Sequence, residues 1–366
     1  MRDIRIAVLG VGNCASSLVQ GLTYYADSQA TDGLINQKIG SYGIGDIAVV
    51  LGIDVDARKV GLDVSEAIFS APNNTLVFQQ DVPATGAKVM MGRVMDGVAA
   101  HMCTGDDRGF QISDAPEPSK EDVVKALRES GATVLVNYLP VGSQEAAEFY
   151  MECALEAHVA VVNCIPVFIA SDPQWAERFR ARNLPIVGDD IKAQVGATII
   201  HRALSELFAA RGATISRTYQ LNTGGNTDFM NMLDRSRLQQ KKESKTESVQ
   251  AALAKRLEDN DILIGPAEYV PWQKDNKVCF LRIEGENWGG APVNVELRLA
   301  VEDSPNSAAC VVDAIRCAQI ALDRGEGGPV LAASACYCKH PPQQFDDSSA
   351  NRMLAAYLEK HVTAAA

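Results

Sequence analysis

The sequence is short of several things at once, and each shortage removes a class of function. It contains no run of about 20 uninterrupted apolar residues, the length a membrane-crossing helix needs, so no membrane partner is expected. Positive charge is in deficit: 34 Lys and Arg stand against 46 Asp and Glu, a formal net charge of -12. Nucleic acid is thereby disfavoured as the main partner, because that task asks for a broad basic surface. A small anionic substrate needs only a few local cations and is not excluded. The nine cysteines (14, 103, 153, 164, 279, 310, 317, 336, 338) form no CxxC pair, and the five histidines form no HExxH pair. Most of the cysteines sit in apolar stretches such as VVNCIPV and SAACVVDAI, so buried reduced thiols are expected rather than disulfides or zinc. The opening MRDIRIAVLG carries charges within its apolar run and enters a glycine turn, unlike a secretory signal. A soluble cytoplasmic protein is the expectation.

What is present is the pattern of a two-domain α/β chain, for which 366 residues suffice. Strand-like apolar runs at IRIAVLG (4–10), DIAVVLGIDVD (46–56), TVLVNYLP (133–140), VAVVNCIPV (159–167) and LPIVGDD (184–190) alternate with amphipathic stretches. Among the latter, KEDVVKALRES, QEAAEFYMECALEA and DPQWAERFRARN read as helices, the last with Asp172 as cap and Pro173 in its first turn. Such alternation predicts a mostly parallel sheet. Residues 71–113 mix short apolar runs with polar loops. After about residue 200 the period changes: PVNVELRLAVED (292–303) places Val293, Val295, Leu297, Leu299 and Val301 on one side, as in a half-buried antiparallel strand. KVCFLRIEGEN (277–287) reads as its neighbour, and SPNSAACVVDAIRCAQIALDRG (304–325) as a long helix with a glycine stop. The predicted division is 1–200 plus 306–366 for the first domain and 201–305 for an inserted second one.

Four places carry candidate chemistry. Gly10 and Gly12, followed by Asn13, Cys14 and Ala15, lie between a strand and a helix, where a dinucleotide's pyrophosphate approaches the backbone. Asp54 ends the second strand and would hold the ribose diol, favouring NAD over NADP. It comes 44 residues after Gly10 instead of roughly 20, a delay that the polar stretch 26–45 would explain as an insertion. A structural strand-to-helix turn would show the same glycines. VGDDIKAQVGAT (187–198) sets Asp189, Asp190 and Lys192 at the carboxyl end of a parallel strand, the ligand edge of such sheets, though adjacent acids also cap helices. After the polar turn NTGGNTD, Arg235 to Lys245 packs five basic residues against one Glu243. Lys241 and Lys245 share a helix face, where an anion between them would offset their repulsion. A solvated basic face is the competing reading. Lys277, opening a strand, and Lys339, in ASACYCKHPP, are either snorkelling surface residues or lysines whose apolar setting tunes them for proton transfer.

With those residues in view, the chain resembles the L-myo-inositol-1-phosphate synthase family, in its shorter bacterial form, over nearly its whole length. The segments that carry the resemblance are VGNCASSLVQG, YLPVGS, PVFIASDP, VGDDIKAQVGAT, LNTGGNTDFMNML, KKESKTESV, VEDSPNSA and ASACYCKHPP, in that order. The resemblance implies an NAD-binding Rossmann-like doubly wound sheet with an inserted α+β catalytic and oligomerisation domain. It implies a homotetramer joined through the second domain's sheet, and isomerisation of glucose 6-phosphate with a recycled NAD, sometimes helped by a divalent cation. Lys245 then takes the phosphate, aided by Lys192, Ala193 and Thr198; Lys241 is acid/base at the carbon 5 oxygen; Lys277 and Lys339 meet the reacting oxygens. Asp190, Asp228 and Asp303 orient hydroxyls or lysines, Asn222 and Asn226 lie beside sugar and nicotinamide, and Gly10, Gly12, Asn13, Cys14, Asp54, Pro140 and Asp190 hold the cofactor. No metal ligand set is specified, although Asp189, Asp190 and Asp303 offer oxygens. One departure is visible: the family commonly has Ser after GDDIK, and here Ala193 lacks that hydroxyl. An ordinary NAD-linked dehydrogenase of a phosphorylated or acidic substrate is the alternative, and a non-catalytic NAD sensor a third.

Overall fold

The computed structural model describes residues 4–27 and 30–364. The chain begins with β1 (Ile4–Leu9), α1 (Asn13–Asp27), a small hairpin of β2 (Lys38–Ile39) and β3 (Tyr42–Gly43), β4 (Ile47–Asp54), α2 (Val64–Ala67) and β5 (Val89–Met91). It continues through α3 (Lys120–Ser130), β6 (Val134–Asn137), α4 (Gln144–Ala157), β7 (Ala160–Asn163), α5 (Pro173–Ala181), β8 (Pro185–Val187) and α6 (Ala197–Ala210). Then follow β9 (Thr214–Gly224), α7 (Thr227–Asn231), α8 (Gln239–Gln250), β10 (Ile262–Tyr269), β11 (Asn276–Glu286) and β12 (Pro292–Glu302). The chain ends with α9 (Asp303–Asp323), β13 (Gly328–Pro329), α10 (Leu331–Tyr337) and α11 (Asp347–Ala364).

Seven strands form one parallel sheet in the order β13-β8-β7-β6-β1-β4-β5. Its strands are apolar on both faces because helices cover both. From β1, Ile4, Ile6 and Val8 pack with α1 and α9, while Ala7 and Leu9 pack with α3, α4 and α5. Local signals start and stop these helices as the sequence suggests. Ser119 and Asp122 cap α3 reciprocally, and Gly131 ends it in the left-handed region. Asp172 accepts from the Gln174 and Trp175 N–H groups at the start of α5. The chain leaves β1 toward β4 on one side and reaches β6 on the other, so a crevice opens at the carboxyl end of β1. Residues 71–113, hard to read as sequence, supply β5 and otherwise run irregularly over this edge. The stretch 26–45 holds the β2–β3 hairpin, with residues 28 and 29 outside the described residues.

A second sheet has the order β10-β9-β11-β12, parallel between β10 and β9 and antiparallel elsewhere. The alternation of β12 is observed: Val293, Val295, Leu297 and Leu299 pack with Leu281, Ile283 and Phe208 beneath α6. The opposite face exposes Tyr219, Leu221, Leu263 and Phe280. Phe280 stands across from Leu221, and Leu263 across from Tyr219, so these four form a contiguous apolar surface. Helix α9 returns the chain to the first sheet, where β13 adds an edge strand.

Candidate active site

One continuous cavity lies between the carboxyl end of the parallel sheet and the inner end of the second sheet. Its first wall is the glycine turn. Gly10 has φ +87°, and a Cβ there would come within 2.8 Å of the Tyr138 carbonyl oxygen. Gly12 is different: nothing lies within 4 Å of the place a Cβ would occupy, and the residue lines the cavity. Gly12, Asn13 and Cys14 thus present the N-terminus of α1, with its unpaired N–H groups, to open space that suits an anion. Pro140 lines the same wall. Asp54 accepts from the Val11, Val55 and Asp56 N–H groups at 2.7, 2.7 and 2.9 Å. A carboxylate can accept about four hydrogen bonds, so its place at the end of β4 still allows a hydroxyl.

The second wall is basic. Lys241 Nζ donates to Asp228 Oδ2 at 2.5 Å, Lys277 pairs with Asp303, and Lys339 Nζ donates to Asp190 Oδ1 at 2.8 Å. Ser244, on the same helix as Lys241, donates to the other Asp190 oxygen at 2.6 Å. Burial would raise the carboxyls of Asp190 and Asp303, but Lys339 beside the first and Lys277 beside the second hold both below the usual range. Burial would likewise lower Lys277, and Asp303 reverses this and holds it above its ordinary value. Lys245 has no hydrogen-bonded acceptor among the described residues. Burial, reinforced by the charges of Lys241, Lys277 and Lys339, pushes it down from 10.5 to about 7. Facing these lysines are Ala193 and the N-terminus of α6, where Gly196, Ala197 and Thr198 line the cavity. The arrangement joins two helix N-termini to four lysines, of which one lacks a counter-charge.

Comparison with known proteins gives this geometry a context. A family model described as myo-inositol-1-phosphate synthase matches residues 196–304. An inositol-3-phosphate synthase of Mycolicibacterium smegmatis is 52% identical over 364 residues, covering 98% of each chain. The chain belongs to the inositol-3-phosphate synthase family. A member from Corynebacterium glutamicum is 48% identical, covering 97% of this chain and 98% of its own. Among solved structures, a myo-inositol-1-phosphate synthase-related protein from Thermotoga maritima is 26% identical with TM-score 0.82, covering 97% of this chain and 98% of that one.

Most of the residues expected at the site line the cavity, including Asn13, Cys14, Asn222, Asn226, Asp228 and Thr198. Three already have partners within the fold, Lys192 and Asn226 while also lining the cavity. Asp189 is fully buried and accepts from Asn163 and from the Ile169, Ala170 and Ser171 N–H groups, so it fastens the loop after β7 and does not line the cavity. Lys192 sends its ammonium to the Ala335 carbonyl at 2.9 Å and Asp347 at 3.3 Å, anchoring α10 and α11. Asn226 caps α7 through Phe229 N–H and donates to Asp275 at 2.8 Å, so its amide already has partners. Among the described residues no three His, Cys, Asp or Glu side chains gather as a metal cluster, and none of their helices is long and apolar enough to cross a membrane.

Sequence reading missed Asp275, Lys59 and Gln220. Asp275 accepts from Asn13, Thr75, Asn226 and Ser304, joining the glycine turn to the second sheet. Burial, with Asp303 nearby, raises its carboxyl above the usual range. Lys59 donates to the Val11 carbonyl and to Asn73, both at 2.8 Å, 3.9 Å from Asp54. Gln220 is buried and lines the cavity. Asp275 and Lys59 take their partners from distant parts of the chain, and no local motif marks them. Gln220 had a signal: it is two residues before Asn222 on a strand, hence on the same face.

Proposed function

We propose that the protein is an inositol-3-phosphate synthase that converts glucose 6-phosphate to inositol phosphate with a recycled NAD. The observation that carries this reading is the unpaired, half-buried Lys245 beside three carboxylate-paired lysines: one cation for a phosphate and three held in reserve for oxygens that become charged. The substrate phosphate lies on Lys245 and the N-terminus of α6, whose backbone N–H groups stand in for the hydroxyl that Ala193 lacks. Gly12 at the head of α1 would hold the cofactor's pyrophosphate, and Asp54 its ribose hydroxyls. When bound, NAD supplies the acceptor for the carbon 5 hydride and the source from which it is returned.

The residues do the remainder. The Lys241 ammonium gives a proton to Asp228 as it takes that of the carbon 5 hydroxyl, then stabilises the ketone oxygen while the carbon 6 proton passes to the neighbouring phosphate dianion of the substrate. Enolate carbon 6 attacks the carbon 1 aldehyde, forming the ring bond as the carbonyl π bond opens, and the resulting alkoxide takes a proton from Lys277 or Lys339, which the substrate phosphate returns. Asp303 keeps Lys277 charged, and Asp303 and Asp190 aim the two lysines, so that little reorganisation is needed as charge develops. Return of hydride to carbon 5 and of the proton through Lys241 completes a reaction with no net redox change. We divide the chain along the two sheets, residues 1–200 and 306–366 as the NAD-binding domain and 201–305 as the catalytic and tetramerisation domain, with the α6 N-terminus and Lys339 reaching the substrate from the first. The contiguous apolar face of Tyr219, Leu221, Leu263 and Phe280 supports self-association through the second sheet, as in the expected homotetramer.

The test uses the pure protein with glucose 6-phosphate and NAD below stoichiometry, followed by phosphorus and proton NMR. Inositol phosphate in excess of the NAD supplied is the expected result. NADH accumulating in step with an oxidised sugar would replace this reading with a simple dehydrogenase.

A further inference from the structure

The glycine turn at the head of α1 is held from behind by a buried cation that takes no part in the chemistry proposed above. Lys59 is 1% exposed, and three oxygens surround its ammonium: the Val11 carbonyl and Asn73 Oδ1, each accepting at 2.8 Å, and Asp54 Oδ2 at 3.9 Å. Two of its three N–H groups are thus engaged, and Asp54 balances its charge. Burial lowers Lys59 from its ordinary value, against the opposing pull of Asp54.

What this cation holds is a single peptide unit. Asn73 holds it too, since its Nδ2 donates to the same Val11 carbonyl at 3.1 Å and to the Ile68 carbonyl at 3.0 Å. On the other side of the residue, the Val11 N–H donates to Asp54 Oδ2 at 2.7 Å. Both peptide units flanking Val11 are therefore fixed, and all the groups that fix them come from the segment 54–73. The Val11–Gly12 bond is trans, and a planar trans unit carries its N–H opposite its C=O. With the carbonyl on Lys59 and Asn73, the Gly12 N–H faces away from both. That N–H has no acceptor among the described residues, and Gly12 borders the cavity. The unit turned over would present a carbonyl oxygen to an anion and leave Lys59 without its acceptor in a buried setting.

We propose that Lys59 is a positioning residue for the cofactor: by holding the Val11 carbonyl it keeps the Gly12 N–H aimed as a donor to a diphosphate oxygen. Its charge also polarises that peptide unit, which makes the N–H a stronger donor. Lys59 itself does not touch the diphosphate. That the anion is the diphosphate of NAD rests on the function proposed above.

The test compares wild type and Lys59→Met with three probes, NADH by its fluorescence and ADP-ribose and adenosine by competition with it. Without Lys59, Asp54 retains its three N–H donors, so the adenosine half should keep its hold. Affinity for NADH and ADP-ribose should fall about 10- to 100-fold, the range for a hydrogen bond made to a charged group, while adenosine affinity is unchanged. An equal loss for all three probes would mark a purely structural effect and refute the role given to Lys59. Unchanged ADP-ribose affinity in folded Lys59→Met refutes it as well. If that variant does not fold, a crystal structure of the wild-type protein with ADP-ribose decides. The Gly12 N–H on a diphosphate oxygen, with the Val11 carbonyl still on Lys59, is the expected result. A Lys59 ammonium on the diphosphate itself, or a Val11–Gly12 unit turned over, overturns the inference. Wild-type protein that binds neither NADH nor ADP-ribose removes the NAD reading and this inference with it, whereas binding indifferent to Lys59→Met removes the inference alone.

Discussion

Raising the pH from about 7 to about 9 should weaken capture of glucose 6-phosphate and, at the same time, stabilise the empty protein. Both effects come from Lys245, whose ammonium burial and three lysine neighbours have brought from 10.5 to about 7. Only the charged form attracts the phosphate. Above pH ~7 that form declines about tenfold per pH unit, so affinity should fall by about tenfold per unit, or about 1.4 kcal/mol. Stability moves the other way. The folded pKa lies below the unfolded one, so between the two the unfolded chain holds a proton that the folded chain has released. Stability contributed by this group therefore rises by up to about 1.4 kcal/mol per unit from pH ~7 toward the unfolded pKa, and is flat below pH ~7. Calorimetric titration of substrate with saturating NAD, and urea denaturation of the empty protein, would be run at each pH on wild type and Lys245→Met. The difference between the two proteins removes contributions from other groups. Below pH ~6 the substrate's own phosphate takes up its second proton, which weakens binding in both. A wild-type affinity that is level from neutrality upward, or slopes that persist in Lys245→Met, would refute the placement of an unpaired, neutral-range lysine at the phosphate.

Gly12→Ala should leave the melting temperature unchanged, since nothing lies within 4 Å of the added methyl. NAD affinity should fall about tenfold or more, as the methyl enters the space required by the pyrophosphate; fluorescence titration with NADH reads it. Lys241→Ala should reduce turnover by about 100-fold or more with NAD binding retained, and wild-type turnover would remove its role at carbon 5. Asp303→Asn strands the Lys277 ammonium in a half-buried setting and should cost up to about 3 kcal/mol of stability in urea titration, together with a lower kcat. Ala193→Ser should restore one hydrogen bond to the phosphate and lower KM by a few-fold, corresponding to about 1 kcal/mol; an unchanged KM would mean that the α6 N–H groups already satisfy it.

What could be read from the sequence was whatever is encoded locally. The turn at Gly10 and Gly12, the cap at Asp172, the alternation of β12 and the shared face of Lys241 and Lys245 each follow from residues a few positions apart, and all appear in the fold. Pairing of Lys277 with Asp303, and of Lys339 with Asp190, needs strands and helices brought from far along the chain. Spacing alone therefore left both lysines ambiguous between surface and site. Asp189 and Lys192 show the converse limit: next to Asp190 they look alike as site residues, yet a left-handed Asp190 (φ 60°) sends the neighbouring side chains to different surroundings. Asp275 was invisible because its partners stand at positions 13, 75, 226 and 304, and no short window contains even two of them.

That last carboxylate also sets where the chain can be divided. The seam between the two sheets resembles a domain boundary, and the obvious experiment is to express the second sheet as a module or graft it onto another scaffold. A fragment of 201–305 would keep Asp275 and Asn226 but leave behind Asn13, Thr75 and Ser17, whose hydroxyl contacts Thr75 at 3.2 Å. Its acid would then lose half of its donors at a surface newly opened to water, beside a helix α9 cut within its first turn. Transplanting the site thus means transplanting the glycine turn and the 71–78 loop with it: the modular unit is the pair of sheets, not either one.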